Sequence, residues 1–312
     1  MKRLIPILVA LSVLVTACQM GGGQAQPTPL ALPTAFPTNT PAVNPTQSSG
    51  GGKVEAGSER TSPVDGMVQV YIPAGTFQMG GIDSKASQDE KPVHPVTMHG
   101  FWIDKVEVTN AMYMLCVKAG ACRLPHETKS QTRQSYFNNP EYNDYPVVYV
   151  GWGDAKAYCE WANRRLPTEA EWERAARGDD FRTYPWGDER PDSSRANFNF
   201  YVGDTTRVGS FPAGASPFGV LDMAGNVAEW VNDFYDAGYY SSAINVNPPG
   251  PLARANYFNR VVRGGTFQDG EIDIRLANRA SVLGPNPDAP LDSPQYYGEF
   301  SPKIGFRCAA DE

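Results

Sequence analysis

Asp222 and Glu229 are carboxylates seven residues apart in the stretch Gly-Val-Leu-Asp-Met-Ala-Gly-Asn-Val-Ala-Glu-Trp, residues 219–230. Gly225 and Asn226 lie between them, and both residue types tolerate positive φ, so a sharp turn is expected there. A turn at that point brings the two carboxylates and one or two backbone carbonyls toward a common centre. Hard cations such as Ca²⁺ need that mixture of oxygen donors. The same spacing also fits a plain polar turn leading into a helix. A second acidic run, Asp269, Glu271 and Asp273 with Arg275, alternates with Ile272, Ile274 and Leu276. Read as a strand, it has one charged and one apolar face. The three histidines, His94, His99 and His126, have no zinc or facial-triad spacing, since His94 and His99 fall on opposite faces of an extended stretch. No nucleophile elbow, phosphate-binding loop or dinucleotide fingerprint is present.

The elements that must carry these residues are legible in part. Met67–Ile72 alternates as a strand, Pro73-Ala74-Gly75 turns it, and Thr76–Gly80 forms a second strand. Residues 93–103 read as extended. Thr109 caps a helix over Asn110–Lys118 that Gly120 ends. Asp154–Arg164 has helical spacing, with Ala155, Tyr158, Trp161 and Ala162 on one side. Thr168 and Glu171 form a capping box for a helix that runs to Arg177 and stops at Gly178. Beyond it the chain is mostly short irregular pieces rich in Gly, Pro, Asn and aromatics. The expectation is a single loop-rich α+β domain over residues 63–312.

The 312 residues carry a net charge of −7, and no basic patch supports nucleic-acid binding. Residues 1–18 read as a targeting segment: Lys2 and Arg3, an apolar run over 4–15, then Val15-Thr16-Ala17-Cys18, which resembles a bacterial lipobox with Cys18 as the lipidated residue. Residues 19–62, with Pro27, Pro29, Pro33, Pro37, Pro41 and Pro45 among Thr, Ala and Asn, lack the apolar side chains to offset ordering entropy and read as a spacer. The expected location is therefore outside the cytoplasm. The protein would be a cell-surface or periplasm-facing lipoprotein, held to a membrane at Cys18.

The motifs Ile72-Pro73-Ala74-Gly75-Thr76-Phe77-Gln78-Met79-Gly80, Val108-Thr109-Asn110, Tyr158-Cys159-Glu160-Trp161, residues 165–173 (Arg-Leu-Pro-Thr-Glu-Ala-Glu-Trp-Glu), Gly225-Asn226-Val227-Ala228-Glu229-Trp230, Arg263-Gly264-Gly265-Thr266 and Gly305-Phe306-Arg307 occur in an order that resembles the formylglycine-generating enzyme, or sulfatase-modifying factor, family. The resemblance covers roughly residues 64–311 and implies one compact domain with a variant C-type-lectin-like fold. It implies structural Ca²⁺ at the side chains of Asp222 and Glu229 with the carbonyls of Gly225 and Val227. A second Ca²⁺ is implied at Asn197, the carbonyl of Phe198, Asp204 and the carbonyl of Thr206. Binding energy at such sites becomes folding energy.

Apart from Cys18, four cysteines remain, which permit three pairings. Cys116 and Cys122 are close enough around Gly120 to close a short loop, and the resemblance supports Cys159 with Cys308. The resembling enzymes oxidise a substrate cysteine to formylglycine with O₂ and a copper(I) ion held by two cysteines just after the motif matching Arg263–Thr266. Soft thiolates suit copper(I). Here that region, residues 267–275, reads Phe-Gln-Asp-Gly-Glu-Ile-Asp-Ile-Arg and holds no cysteine. No copper is expected, and the oxidase reaction is expected to be absent. Asp269, Asn278 and Arg279 are placed on the floor of the old substrate cleft. Trp230, Phe234, Tyr235, Tyr239, Tyr240, Tyr296 and Tyr297 are expected near it. The expected ligand is a peptide, a protein or a saccharide, and the expected role is a binding module. An enzyme of the same family with another chemistry is the alternative, and a true formylglycine generator comes last.

Overall fold

The computed structural model describes residues 54–312, apart from residues 82, 243, 291 and 292. The targeting segment, Cys18 and the spacer up to residue 53 lie outside the described residues. In chain order the elements are β1 (Glu59–Thr61), β2 (Val68–Ile72), β3 (Gly75–Met79), β4 (His94–Met98), β5 (Phe101–Asp104), α1 (Asn110–Lys118), α2 (Trp152–Trp161), α3 (Glu169–Arg177), β6 (Ala228–Phe234), β7 (Asn259–Arg263), β8 (Ala280–Leu283), α4 (Pro294–Tyr297), β9 (Ile304–Phe306) and β10 (Ala309–Asp311). β1 lies inside the stretch expected to be spacer. It pairs antiparallel with β2, Glu59 opposite Val70, so the folded part starts before residue 63.

The helix starts follow from side-chain caps. Thr109 accepts a hydrogen bond from the Met112 amide. Thr168 accepts from the Glu171 amide while the Glu171 carboxylate takes the Thr168 amide, so two end donors of α3 are satisfied reciprocally. α2 begins earlier than its apolar spacing indicates, at Trp152, because the Asp154 carboxylate reaches back to the Gly151 amide. α3 ends at Gly178 with φ 78°, where a Cβ would stand 2.7 Å from the Pro217 ring. Every residue of α3 is buried, which makes it the central post of the domain.

Three sheets surround that post, in strand orders β1-β2-β5-β10, β3-β4 and β8-β7-β6-β9. One core cluster packs α1 and α2 against β6 and β9, with Tyr113 stacked on Tyr158 at 5.6 Å and Phe306 edge-on to both. A second joins Val70, Ile72, Phe101 and Ile103 to Trp172, Ala175 and Ala176 of α3. Disulfides link Cys116 to Cys122 and Cys159 to Cys308. The second ties α2 to the C-terminal strands across 149 residues. In the chain-entropy model a loop of that length stabilises by about 5 kcal/mol.

β6 and β9 run parallel, with Glu229 opposite Gly305 and Trp230 opposite Phe306. This register carries the segment after β6's start alongside Arg307. β7 ends at Arg263, and Gly264 and Gly265 follow with φ 92° and 69°. Residues 266–278 are turns and irregular backbone, which corrects the strand expected there. The Asp273 amide closes back on the Gly270 carbonyl. Arg275 swings inward to Glu90 at 2.8 and 2.9 Å, while Ile272 is exposed and Ile274 and Leu276 are buried. A single alternating face therefore does not exist: a buried ion pair overrides the period-two pattern.

Candidate functional site

The 222–229 segment turns as its residue types require. Asp222, Gly225 and Asn226 have φ of 57°, 78° and 58°. Gly225 is obligatory, since a Cβ there would lie 2.3 Å from the Asn197 carbonyl oxygen. The turn is sewn to its neighbours by Asn226 N–H to the Asn197 carbonyl (2.8 Å) and by Gly225 N–H to the Gly264 carbonyl (2.9 Å). The segment leads into strand β6 rather than a helix.

Asn226 joins the two expected cation regions. Its Nδ2 donates to Glu107 Oε1 at 2.8 Å, and its Oδ1 accepts from the Thr206 amide at 2.9 Å and from Asn197 Nδ2 at 3.3 Å. Asn197 Nδ2 also donates to the Asp204 carbonyl at 2.9 Å, and the Phe198 carbonyl accepts from the Tyr201 amide at 3.0 Å. Asp204 Oδ2 accepts from Ser130 Oγ (2.7 Å), Thr132 Oγ1 (2.7 Å) and the Thr132 amide (2.9 Å). Burial opposes ionisation of Asp204, but those hydroxyl and amide donors outweigh it and hold the carboxyl below its usual range.

Asp222 and Glu229 have different partners. Asp222 Oδ2 accepts from the Gly209 amide at 2.6 Å. Glu229 instead binds the Arg307 guanidinium side-on, Nε to Oε2 and Nη2 to Oε1, both at 2.6 Å. The Trp172 indole adds a third donor at 2.7 Å. Burial pushes the Asp222 and Glu107 carboxyls up; the Asp222 charge raises Glu107 further, whereas the Gly209 amide, Arg307 and the Glu107 carboxyl pull Asp222 down. Among the described residues no three His, Cys, Asp or Glu side chains close a ready-made metal cage. Two buried oxygens, Glu107 Oε2 and Asn197 Oδ1, nevertheless have no donor. Such orphans are costly. Glu107 was missed from the sequence. Its signal is a lone acid between Val106 and Val108, directly before the Thr109 cap.

The second candidate lies across β6, β7 and β8. A cavity of about 380 Å³ is lined by Gly265, Thr266, Asp269, Asp273, Asn278 and Glu299, among others. Asp269 Oδ2 accepts from the Thr266 amide at 2.8 Å, and Asn278 Nδ2 donates to the Asp273 carbonyl at 2.8 Å. Asp269, Asn278 and Arg279 do share this cavity. The guanidinium of Arg279, however, turns away from it. Its Nε and Nη2 bind Glu169 at 2.7 and 2.8 Å, and it lies over the Tyr240 ring at 4.3 Å. Arg279 is a structural counter-ion here, alongside Arg263, which binds Glu169 and Glu173 at 2.9 and 2.6 Å. The charged heads left to the cavity are Asp269, Asp273 and Glu299 against Lys303. None of the expected aromatics lines it. Trp230 is committed to the core, with Nε1 on the Val150 carbonyl at 3.0 Å, and Tyr240 stacks under Arg279.

The model of the sulfatase-modifying factor enzyme 1-like domain matches residues 54–312, and the chain belongs to that family. The formylglycine-generating enzyme of Streptomyces coelicolor is 32% identical over 292 residues, covering 78% of this chain and 89% of that protein. A Chlamydia pneumoniae protein named serine/threonine-protein kinase pkn1 is 37% identical over 268 residues, covering 82% of this chain. The match takes in 40% of that relative's length. Among solved structures, PvdO from Pseudomonas aeruginosa aligns with a TM-score of 0.65 and 28% identity, over 83% of this chain and all of that one. The fold is the α+β, C-type-lectin-like fold of this family, with little regular secondary structure for its length.

Proposed function

We propose that this protein is an exported, lipid-anchored binding module that keeps the formylglycine-generating fold without the copper-dependent oxidase reaction. Asp269, Asp273 and Glu299 would receive a cationic or hydroxyl-rich group of a peptide, protein or saccharide, and bound Ca²⁺ would brace the loops behind the cleft. One observation carries the reading. All four cysteines after Cys18 are joined in disulfides, and the segment after Arg263-Gly264-Gly265-Thr266 offers carboxylates in place of thiols. Carboxylate oxygens suit hard ions and cationic groups, not copper(I).

The test is an oxidation assay on a cysteine-containing sulfatase peptide with copper(I) and O₂, read by mass spectrometry. No formylglycine should form, and turnover at the rate of the S. coelicolor enzyme under the same conditions refutes the reading. Loss of the protein from the detergent-extracted membrane fraction in a Cys18→Ser variant supports the anchor, and an unchanged partition counts against it.

A further inference from the structure

We propose that Phe200, Tyr201 and Val202 form a docking tip for a protein partner whose apolar residues cover the tip while a basic side chain reaches the acidic cavity beside it. The inference rests on the reading of that cavity as the binding cleft and adds a contact surface outside it.

The three side chains are 59%, 54% and 53% exposed, and among the described residues no other three consecutive large apolar side chains are exposed. A run of this kind is a liability unless something covers it. The loop that carries it is held at both ends. On one side Phe198 is buried among Tyr184, Ala196 and Ile274. On the other, Asp204 accepts from the hydroxyls of Ser130 and Thr132 at 2.7 Å each. Between them Asn199 and Phe200 have φ of 48° and 58°. A β-carbon disfavours that left-handed backbone, and for a side chain as bulky as Phe it is an outlier. The fold maintains it through the Phe200 and Asn199 amides, which donate to the Phe267 and Asp269 carbonyls at 2.8 and 2.9 Å. Tyr201 leans edge-on against Phe198 at 5.1 Å. Strain kept in place under exposed aromatics presents them, already ordered, to something outside the chain.

The same hydrogen bonds indicate the partner's chemistry. They set the tip's backbone against that of Asp269, whose side chain lines the cavity with Asp273 and Glu299 against Lys303. That acidic mouth repels an anionic lipid surface. A protein segment with Lys or Arg beside apolar residues complements both the mouth and the tip.

The test selects a displayed library of random peptides on the full chain. The affinity of the selected peptides is then measured by fluorescence anisotropy on wild type, on Phe200→Asn combined with Val202→Ser, and on Asp269→Asn. The selected peptides should carry Lys or Arg beside apolar residues, and the double variant should bind them about tenfold more weakly or worse. It should melt at or above the wild-type temperature, because Asn suits the left-handed backbone. A lower melting temperature assigns Phe200 to packing and overturns the proposal. Loss in Asp269→Asn with full affinity in the double variant refutes the tip and leaves the cleft reading standing. Loss in the double variant alone supports the tip and refutes the cleft reading. Sedimentation of a Cys18→Ser chain with phosphatidylglycerol vesicles, abolished by the double variant, assigns the tip to a membrane and overturns the proposal.

Discussion

Replacing Asp233 with Asn should make the domain more stable at neutral and alkaline pH, by an amount that grows with pH up to about 8. Asp233 sits at the end of β6, fully buried beside the start of α3. Its Oδ2 accepts from the Glu169 amide at 2.8 Å, and Gly250 packs so close that a Cβ there would lie 2.4 Å from Oδ1. Burial, then the nearby Glu169 carboxylate, push its carboxyl from 3.8 up to about 8, against the pull of the Glu169 amide and Arg279. The two arginines near Glu169 are hydrogen-bonded to Glu169 itself, so the pull of Arg279 on Asp233 only partly offsets burial. The native group thus keeps its proton where the unfolded group has lost it. Its favourable contribution is complete below about pH 4 and is lost as pH rises toward about 8, at roughly 1.4 kcal/mol per pH unit. The full span is on the order of 5 kcal/mol. Asn keeps the acceptor for the Glu169 amide and never ionises. Denaturant unfolding of wild type and Asp233→Asn at pH 5, 6, 7 and 8 should therefore give stability curves that diverge in favour of the variant as pH rises. Parallel curves refute the reasoning, because they place Asp233 ionised in the native state.

Other perturbations read other links. Replacing Cys159 and Cys308 together with Ala should lower stability by about 5 kcal/mol, less any relief of native strain, measured by denaturant unfolding. The Cys116–Cys122 pair, which closes only 6 residues, should give about half of that. Thr168→Ala removes one half of the α3 capping box and should cost about 1 kcal/mol, seen as a lower denaturation midpoint. Asp269→Ala should weaken binding of any cationic ligand found by screening while leaving the melting temperature within a degree or two, since its carboxylate caps only the Thr266 amide. Equal affinity in the variant removes Asp269 from the site.

What the sequence reveals here is what is local. Thr109, Thr168 with Glu171, and Gly178 each act within a few residues, and they delimit α1 and α3 as their types require. The Gly225-Asn226 turn is legible for the same reason. The partners of the site residues are not. Glu229 meets Arg307, 78 residues on, only because β6 and β9 pair in parallel, and no spacing announces that. Arg279 lies beside Asn278 in sequence and lines the same cavity, yet its head is drawn to Glu169, 110 residues back. The alternating run at 269–276 reads as a strand until Glu90 captures Arg275. In each case a desolvated charge takes a buried counter-charge far away in sequence, and that choice depends on tertiary structure.

Copper(I) titration of the lipidated full chain with its disulfides intact, followed by competition with a copper(I) chelator and X-ray absorption, tests the central claim most directly. The account predicts no sulfur-ligated copper(I) and no retention against the chelator. One equivalent of thiolate-bound copper(I) held beside Gly265 would contradict it.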